Sequence, residues 1–467
     1  MFLIESGALE GRIDVHFYKP EFFELENRIK KLGIEFSNLK KLSKKIFSGV
    51  TPLSGGDAYT DKENGIMFVR SGDYSDQNEI AFEDLIYLKK EVHKQKMKHS
   101  QLQKNDILIA IVGATIGKVG VYKFDFEANI NQAICAVRLK ENTNPDFVHC
   151  FLLTNVGQKF LDRIKRPVAR ANINLDEIGS LQIPILPLAT QSAIVAIFQT
   201  AYESKKAKET EAKELLASID AYLLEMLGIV LPQKVKTPKT FFVNFSQVQG
   251  NRFDPFYHKT EFKALEKSLQ NGKYEVVKLG NYLQNISYGA SVKNEYVDDT
   301  QGGIPFLRIS DLKRNQINVK EIVYLSSTMR KELGNCFVQE NDFLISRSGT
   351  TGVVAMVDKS VDGFAYGSFM IKFVLKENAP INKNFLSYYL NSEIMQIIVE
   401  RNRIGAIQGN ITIPTIRNFE IPLPPLSVQE EIALYISGIR SRAKALGEEA
   451  KNEIEKAKLL VEEMILG

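Results

Sequence analysis

Several short stretches of this chain carry residue types that could do chemistry. Asp254-Pro255-Phe256-Tyr257 superficially matches the DPPY motif of amino-methyltransferases. Its second proline is missing, no glycine-rich cofactor loop after a strand accompanies it, and the matching stretch Asp14-Val15-His16 lacks it. A structural docking role is the better reading. Gly113-Ala114-Thr115-Ile116-Gly117-Lys118 approaches a phosphate loop, but one residue is lacking between the glycines and Val119 replaces the required Ser/Thr. A turn between strands is expected there. Asp311-Leu312-Lys313 imitates part of a nuclease site, but such triplets arise by chance in a chain with 60 basic residues. The five histidines, His16, His93, His99, His149 and His258, show no metal-ligand spacing. The chain is therefore expected to hold no metal and no cofactor, and to have no catalytic site.

Composition bounds the rest. A length of 467 residues suggests about three domains, or two large ones. Apolar residues make up 44% and charged residues 25%, an ordinary globular balance that excludes wholesale disorder and collagen. The most apolar stretch, Ile107 to Gly117, is shorter than the ~18 residues a membrane helix needs. Met1-Phe2-Leu3-Ile4-Glu5 has no basic region before an apolar core, so no signal peptide is expected. Cys135, Cys150 and Cys336 are odd in number and lack CxxC spacing, which fits a reducing cytoplasm better than a disulfide framework or a zinc site. The net charge of +4 allows a nucleic-acid partner without demanding one.

The elements that position these residues occur twice. Arg12-Ile13-Asp14 returns as Arg252-Phe253-Asp254, and Phe17-Tyr18 as Phe256-Tyr257. Gly65 to Asp73 returns as Gly303 to Asp311, and Asn105-Asp106-Ile107-Leu108-Ile109 as Asn341-Asp342-Phe343-Leu344-Ile345. Gly113 matches Gly349, and Lys140-Glu141-Asn142 matches Lys376-Glu377-Asn378. Ile183 to Leu188 returns as Ile421 to Leu426. The offset drifts only from 240 to 236 and back to 238, an order and spacing that chance does not produce.

Each copy reads in two parts. Short β-rich runs, Ile66 to Arg70, Ile107 to Val112, Val119 to Phe124 and Ile134 to Leu139, are separated by Gly, Asn and Asp. A helical stretch from Phe147 to Ile164 follows, so the fold class is α/β or α+β, repeated from about Ile304 to Arg401. A proline-rich segment ending at Pro187 then precedes a long helix. Its seam runs Ile194, Phe198, Ala201, Lys205, Lys208, Ala212, Leu215, Ile219, Tyr222, Met226. The second copy runs Ile432, Ile436, Ile439, Ala443, Leu446, Ala450, Glu453, Ala457, Leu460, Met464. Steps alternating four and three are coiled-coil spacing, and a seam this long spans roughly 50 Å. Antiparallel pairing places Lys205 opposite Glu453, whereas parallel pairing leaves Lys205 opposite Ala443 and Leu215 opposite Glu453. A lone charge in a seam is costly and a pair can set register, so an antiparallel coiled coil with a Lys205–Glu453 contact is expected.

The order of domain, Leu-Pro-Pro-like segment, long helix, then the same again resembles the specificity (S) subunit of type I restriction-modification systems. The resemblance covers nearly the whole chain. It rests on Arg252 to Tyr257, on Asn341 to Gly352 (Asn-Asp-Phe-Leu-Ile-Ser-Arg-Ser-Gly-Thr-Thr-Gly), and on Ile421 to Ile432 (Ile-Pro-Leu-Pro-Pro-Leu-Ser-Val-Gln-Glu-Glu-Ile). The first copy departs in detail, with Ala189-Thr190-Gln191 in place of Ser427-Val428-Gln429. The resemblance implies two target recognition domains, 1–186 and 252–424, each reading one half of a split DNA site. It implies two spacer helices in the family's conserved regions, 187–228 and 425–467, with a connector at 229–251. It also implies docking of methyltransferase (M) subunits, two of them by the twofold repeat, and of restriction (R) subunits through the M–S complex. S-adenosylmethionine, ATP and Mg would belong to those partners, and the S subunit would be cytoplasmic and non-catalytic. An orphan or anti-restriction S-like protein is the alternative; a stand-alone methyltransferase or nuclease fragment fits less well.

Base readout needs Arg, Lys, Asn, Gln, Ser and Thr on exposed loops, and phosphate grip needs cations and amides. The first-copy candidates are Lys44, Lys45, Ser48, Thr51, Arg70, Ser71, Thr115, Lys118, Asn129, Asn131, Gln132, Arg166, Arg170 and Asn172. The second-copy candidates are Ser287, Tyr288, Ser291, Lys293, Arg308, Ser310, Arg347, Ser348, Thr350, Thr351, Tyr366, Ser368, Arg403, Gln408 and Asn410. Arg70 corresponds to Arg308, Thr115 to Thr351, and Asn172 to Asn410. Corresponding positions suggest a shared docking surface and divergent ones suggest different bases.

Overall fold

The computed structural model describes residues 12–53, 56–77, 79–82, 85–166, 171–232, 240–248, 252–293, 296–297, 302–403 and 409–466. Arg170 and Gln408 lie outside these. The chain divides into two units, Met1–Thr210 with Leu446–Gly467, and Glu211–Ala445. Each unit therefore takes part of both long helices, where the sequence suggests boundaries at the helix ends.

The first unit holds two four-stranded sheets. In one, Ser43–Ser48, Ile134–Leu139, Ile107–Ala110 and Val119–Val121 lie side by side, all antiparallel. In the other, Tyr59–Thr60, Ile86–Lys89 and Gly65–Val69 run antiparallel, and Ala128–Ile130 joins Gly65–Val69 in parallel. The second unit repeats both sheets with the same strand order, including the parallel pair Ile304–Leu307 with Ala365–Tyr366. The strands are short, and those at the sheet centre are apolar and buried on both faces. Ile107–Ala110 and Phe343–Ser346 are buried throughout.

A shared device joins the sheets. The chain leaves Ser43–Ser48 at Gly49 and crosses the end of Ala128–Ile130 so closely that a Cβ on Gly49 would lie 1.7 Å from the Ile130 carbonyl oxygen. Gly289 repeats the crossing, with 2.3 Å to the Gly367 carbonyl oxygen. Only glycine permits such an approach. The Asn-Asp repeats are likewise structural. Asn105 and Asn341 take left-handed turns at φ 72° and 73°. Asp106 and Asp342 then accept from the backbone N–H of Gln103 and Gln339, at 2.8 and 2.9 Å.

The helix expected from Phe147 to Ile164 is two helices, Pro145–Leu153 and Asn155–Arg163. Thr154 breaks it by donating to the Phe151 carbonyl (2.6 Å) while accepting from Gly157 N–H (3.1 Å). Ser392 does the same between Lys383–Leu390 and Glu393–Asn402. Short side chains that compete for backbone groups favour caps over helix interiors.

The long helices run Leu188–Leu227 and Leu426–Leu466, each ~60 Å at 1.5 Å per residue. Gln191 and Gln429 reach back to the carbonyls of Leu186 and Pro424, both at 2.8 Å. They fasten each helix start to its proline segment. Each proline segment is in turn clasped to the beginning of its copy by a two-stranded pair, Phe36–Asn38 with Gln182–Pro184 and Val276–Lys278 with Glu420–Pro422.

Pairing is antiparallel in each unit. In the first, Ile194 and Phe198 share a core with Val461 and Ile465. In the second, Leu223 and Leu227 share one with Ile432 and Ile436, and the rings of Tyr222 and Tyr435 lie 4.0 Å apart. Two details differ from the expected seam. Leu460 and Met464 are exposed while Val461 and Ile465 are buried, and Leu223 and Leu227 are buried more deeply than Tyr222 and Met226. The last turns rotate by one residue because they pack on the globular part of their unit as well as on the other helix. A straight helix also drifts ~20° per heptad from a strict 3.5-residue repeat.

The charge pairing is corrected as well. Glu453 meets Lys208 at 3.4 Å, Glu449 meets Lys208 at 2.8 Å, and Lys205 instead reaches Glu209 of its own helix at 3.8 Å. Side chains lean toward their own helix N-terminus, so the head groups that meet come from residues further along than those whose Cα atoms face.

Candidate nucleic-acid interface

Most of the candidate residues converge on one end of each unit, where strands of both sheets stop together. In the second unit Tyr288 ends one strand, Arg347 follows Phe343–Ser346, and Ser368 and Phe369 precede Met370–Leu375. Gly367 N–H donates to Leu307 O (3.0 Å), which brings Arg308 to the same rim. Arg347 N–H donates to Phe369 O (2.9 Å), and Ile411 N–H donates to Arg347 O (3.0 Å), which brings in Asn410. Thr351 donates its hydroxyl to Gly409 O at 3.1 Å.

The first unit builds the same rim with the same bonds. Ile111 N–H donates to Ala133 O (2.9 Å), Ile173 N–H to Ile111 O (3.0 Å), and Asn131 N–H to Val69 O (3.1 Å). Ser48, Arg70, Thr115, Asn131 and Asn172 gather there. Gly113–Lys118 connects two antiparallel strands of one sheet. A phosphate loop opens a helix instead, so the turn expected from the sequence is what forms.

Side chains on this rim divide into occupied and available groups. Arg70 and Arg308 are occupied. Arg308 holds Asp311 (3.1 Å) and the Glu321 carbonyl (2.7 Å), and Arg70 holds Asp73 at 2.8 Å. Asp311 also accepts the Arg308 backbone N–H (2.8 Å), so this repeated pair closes a turn. The Asp311 hydrogen bond holds Arg308 firmly in its charged form. Ser310 donates to the same carboxylate. Arg166 pairs with Glu177 (2.8 Å) and Arg403 with Glu400 (2.6 Å). Asn129 is buried against His93 and Ser100, Ser348 is buried, and the Tyr366 hydroxyl meets Ser287 at 2.9 Å. Asn129, Ser348 and Tyr366 are thus part of the packed interior of their units.

Lys118 lies over the Tyr74 ring and reaches the Ser71 carbonyl at 3.3 Å. Lys44 and Lys45 stand at the far end of their strand, Lys44 on Glu141 and Lys45 on the His99 carbonyl. Burial and the Arg138 charge lower the Lys45 pKa. Thr51, Gln132, Ser291, Lys293 and Thr350 are exposed.

Arg347 differs from the other arginines of the rim. Its guanidinium lies 4.8 Å from the Tyr288 ring centroid and has no carboxylate within ion-pair distance among the described residues; its Nε, like that of Arg403, has no hydrogen-bond partner there. Phe369, half exposed beside it, was not among the sequence candidates. An aromatic in the Gly-Ser-Phe-Met turn before a buried strand was the signal that could have marked it. Among the described residues no group of His, Cys, Asp or Glu could hold a metal ion, and no helix is long and apolar enough to cross a membrane.

A module used twice, with two matching rims and antiparallel long helices, defines a duplicated scaffold. The chain belongs to the type I restriction-modification specificity-subunit family, whose DNA specificity domain matches residues 31–217 and again 271–456. The type I restriction enzyme EcoBI specificity subunit of Escherichia coli is 30% identical over 161 residues, which is 34% of this chain and only 33% of that relative. The MjaVIII specificity subunit of Methanocaldococcus jannaschii is 22% identical over 373 residues, 78% of this chain and 79% of that one. A chain from a solved structure on complex assembly of a type I R-M system shares the fold, with TM-score 0.53 at 15% identity over 92% of this chain and 96% of that one.

Proposed function

We propose that each unit reads one half of a bipartite DNA site, and that the paired helices hold the readers apart and dock methyltransferase subunits. The observation that carries this reading is the repeated rim. One backbone scaffold, with the same hydrogen bonds, presents Ser48, Ile111 and Ala133 in one copy and Tyr288, Arg347 and Phe369 in the other. A shared scaffold with different side chains suits two readers of different half-sites. Half-site spacing on DNA follows protein geometry, and helices of ~60 Å are long enough to span more than one ~34 Å turn. In this reading the chain supplies recognition only. Methyl transfer and ATP-driven steps belong to M and R subunits, which carry S-adenosylmethionine, ATP and Mg.

The test is methylome sequencing of a cell that carries this chain with its M partner. A split motif methylated on both strands is expected. A contiguous motif, or no methylation beyond that of cells lacking the chain, would remove the two-reader assignment.

A further inference from the structure

We infer that Arg347, braced by Tyr288, is a guanine-reading side chain of the second copy, and that the first copy has no counterpart to it. The inference rests on the two-reader assignment above and goes beyond it by naming a residue, a base and an asymmetry.

Three observations carry it. Arg347 is fixed at both ends of its backbone, by Phe369 O and Ile411 N–H at 2.9 and 3.0 Å, so its side chain leaves a rigid strand end. Its guanidinium lies on a ring that is itself anchored. The Tyr288 hydroxyl accepts from Ile413 N–H at 3.4 Å, and the Tyr288 carbonyl accepts from the Tyr366 hydroxyl at 3.3 Å. Finally, the fork is largely unspent. Nε is enclosed without a partner, and the one hydrogen bond recorded for the guanidinium is a long one, from Nη1 to the Ser368 carbonyl at 3.5 Å. No carboxylate within ion-pair distance of it is found among the described residues, whereas Arg308 and Arg403 each hold one.

A stacked, charged planar fork with no carboxylate partner is pre-organised for a bidentate acceptor pair. In the major groove that pair is O6 and N7 of guanine. A phosphate could take the fork too, but such a contact carries no sequence information, and the variants below separate the two. Phe369, 56% exposed and tied through its carbonyl to the Arg347 N–H, offers an apolar face to a neighbouring base. At the matching places the first copy has Ser48, Ala133 and Ile111, the last only 5% exposed and part of the core. The two halves of the target are thus read by different means at this point of the rim.

The experiment uses the full chain with its M partner, as wild type, Arg347→Ala, Arg347→Lys and Tyr288→Leu. Each is scored by methylome sequencing and by binding of the M–S complex to sites varied one base pair at a time. Arg347→Ala and Arg347→Lys are expected to relax one G·C position in one half-site, with discrimination there falling about tenfold or more, and to leave the other half intact. Tyr288→Leu is expected to relax the same position. Arg347→Lys keeps charge and bulk, so it remains informative if the alanine variant folds poorly. Uniform weakening across all sites that lysine restores would show a phosphate contact and overturn the inference. A split motif unchanged in all three variants would overturn it while leaving the two-reader assignment standing. If the wild type itself yields no split motif, that assignment fails and this inference falls with it.

Discussion

Asp342→Ala is expected to destabilise the second unit by about 3–5 kcal/mol, the cost of leaving a buried charge without its partner. Asp342 is 5% exposed at its side chain and Lys372 11%, with 3.1 Å between Oδ2 and Nζ. Removing the carboxylate strands Lys372 with only the Phe337 carbonyl (2.7 Å) and orphans the Gln339 N–H. The double variant Asp342→Ala with Lys372→Met should recover much of the loss, because an apolar pair of fitting volume avoids the stranded charge. In the first unit Asp106 holds Arg138 at 2.7 Å, but Arg138 is 21% exposed and also reaches the Gln101 carbonyl, so Asp106→Ala should cost less. Hydrogen exchange of the central strands, followed in denaturant, measures each unit separately. A loss below about 1 kcal/mol for Asp342→Ala, or a double variant no better than the single, would contradict this account.

The second large effect is a window of acid sensitivity confined to the first unit. His149 is 2% exposed, and its Nε2 has no partner among the described residues. Burial, only partly opposed by the Asp146 charge, pushes its pKa down to about 4. In the unfolded chain the same ring titrates near 6.5. The folded value is depressed, so below pH ~6.5 the unfolded chain takes up a proton that the folded unit refuses. Stability present above ~6.5 is then lost progressively until about pH 4, by an order of 3 kcal/mol in all. The second unit carries Ser387 at the matching place, donating to Asn315 at 2.9 Å, and should lack this component. Thermal unfolding of wild type and His149→Gln between pH 7.5 and 5 isolates it. The wild type should lose stability faster as pH falls, and equal slopes would refute the assignment.

Much of the architecture was legible in the sequence because it is written twice. Repeated blocks at offsets of 236 to 240 revealed the duplication, four-three spacing revealed the helices, and the charges in the seam pointed to their antiparallel sense although the pair that forms is Lys208 with Glu453. The details that escaped are those settled by tertiary packing. Periodicity alone does not tell that the last helical turn rotates from Leu460 to Val461, because the globular part that recruits Val461 is remote in sequence. The break at Thr154 depends on a local hydroxyl that wins over helix propensity.

The rim was legible in outline and less so in roles. Arg70 and Arg308 drew notice by corresponding, yet the aspartates three residues on, Asp73 and Asp311, mark them as turn-closing pairs. Correspondence between copies here signals scaffold. The side chains that differ, Tyr288, Arg347 and Phe369 against Ser48, Ile111 and Ala133, are where a difference in function can reside.

The central claim is that the two copies read separate halves of one site. It is tested most directly by exchanging residues 12–186 for the matching part of another family member and sequencing the methylome of cells carrying the hybrid with its M partner. The account predicts that one half of the split motif changes and the other half is retained. A change in both halves, or in neither, would contradict it.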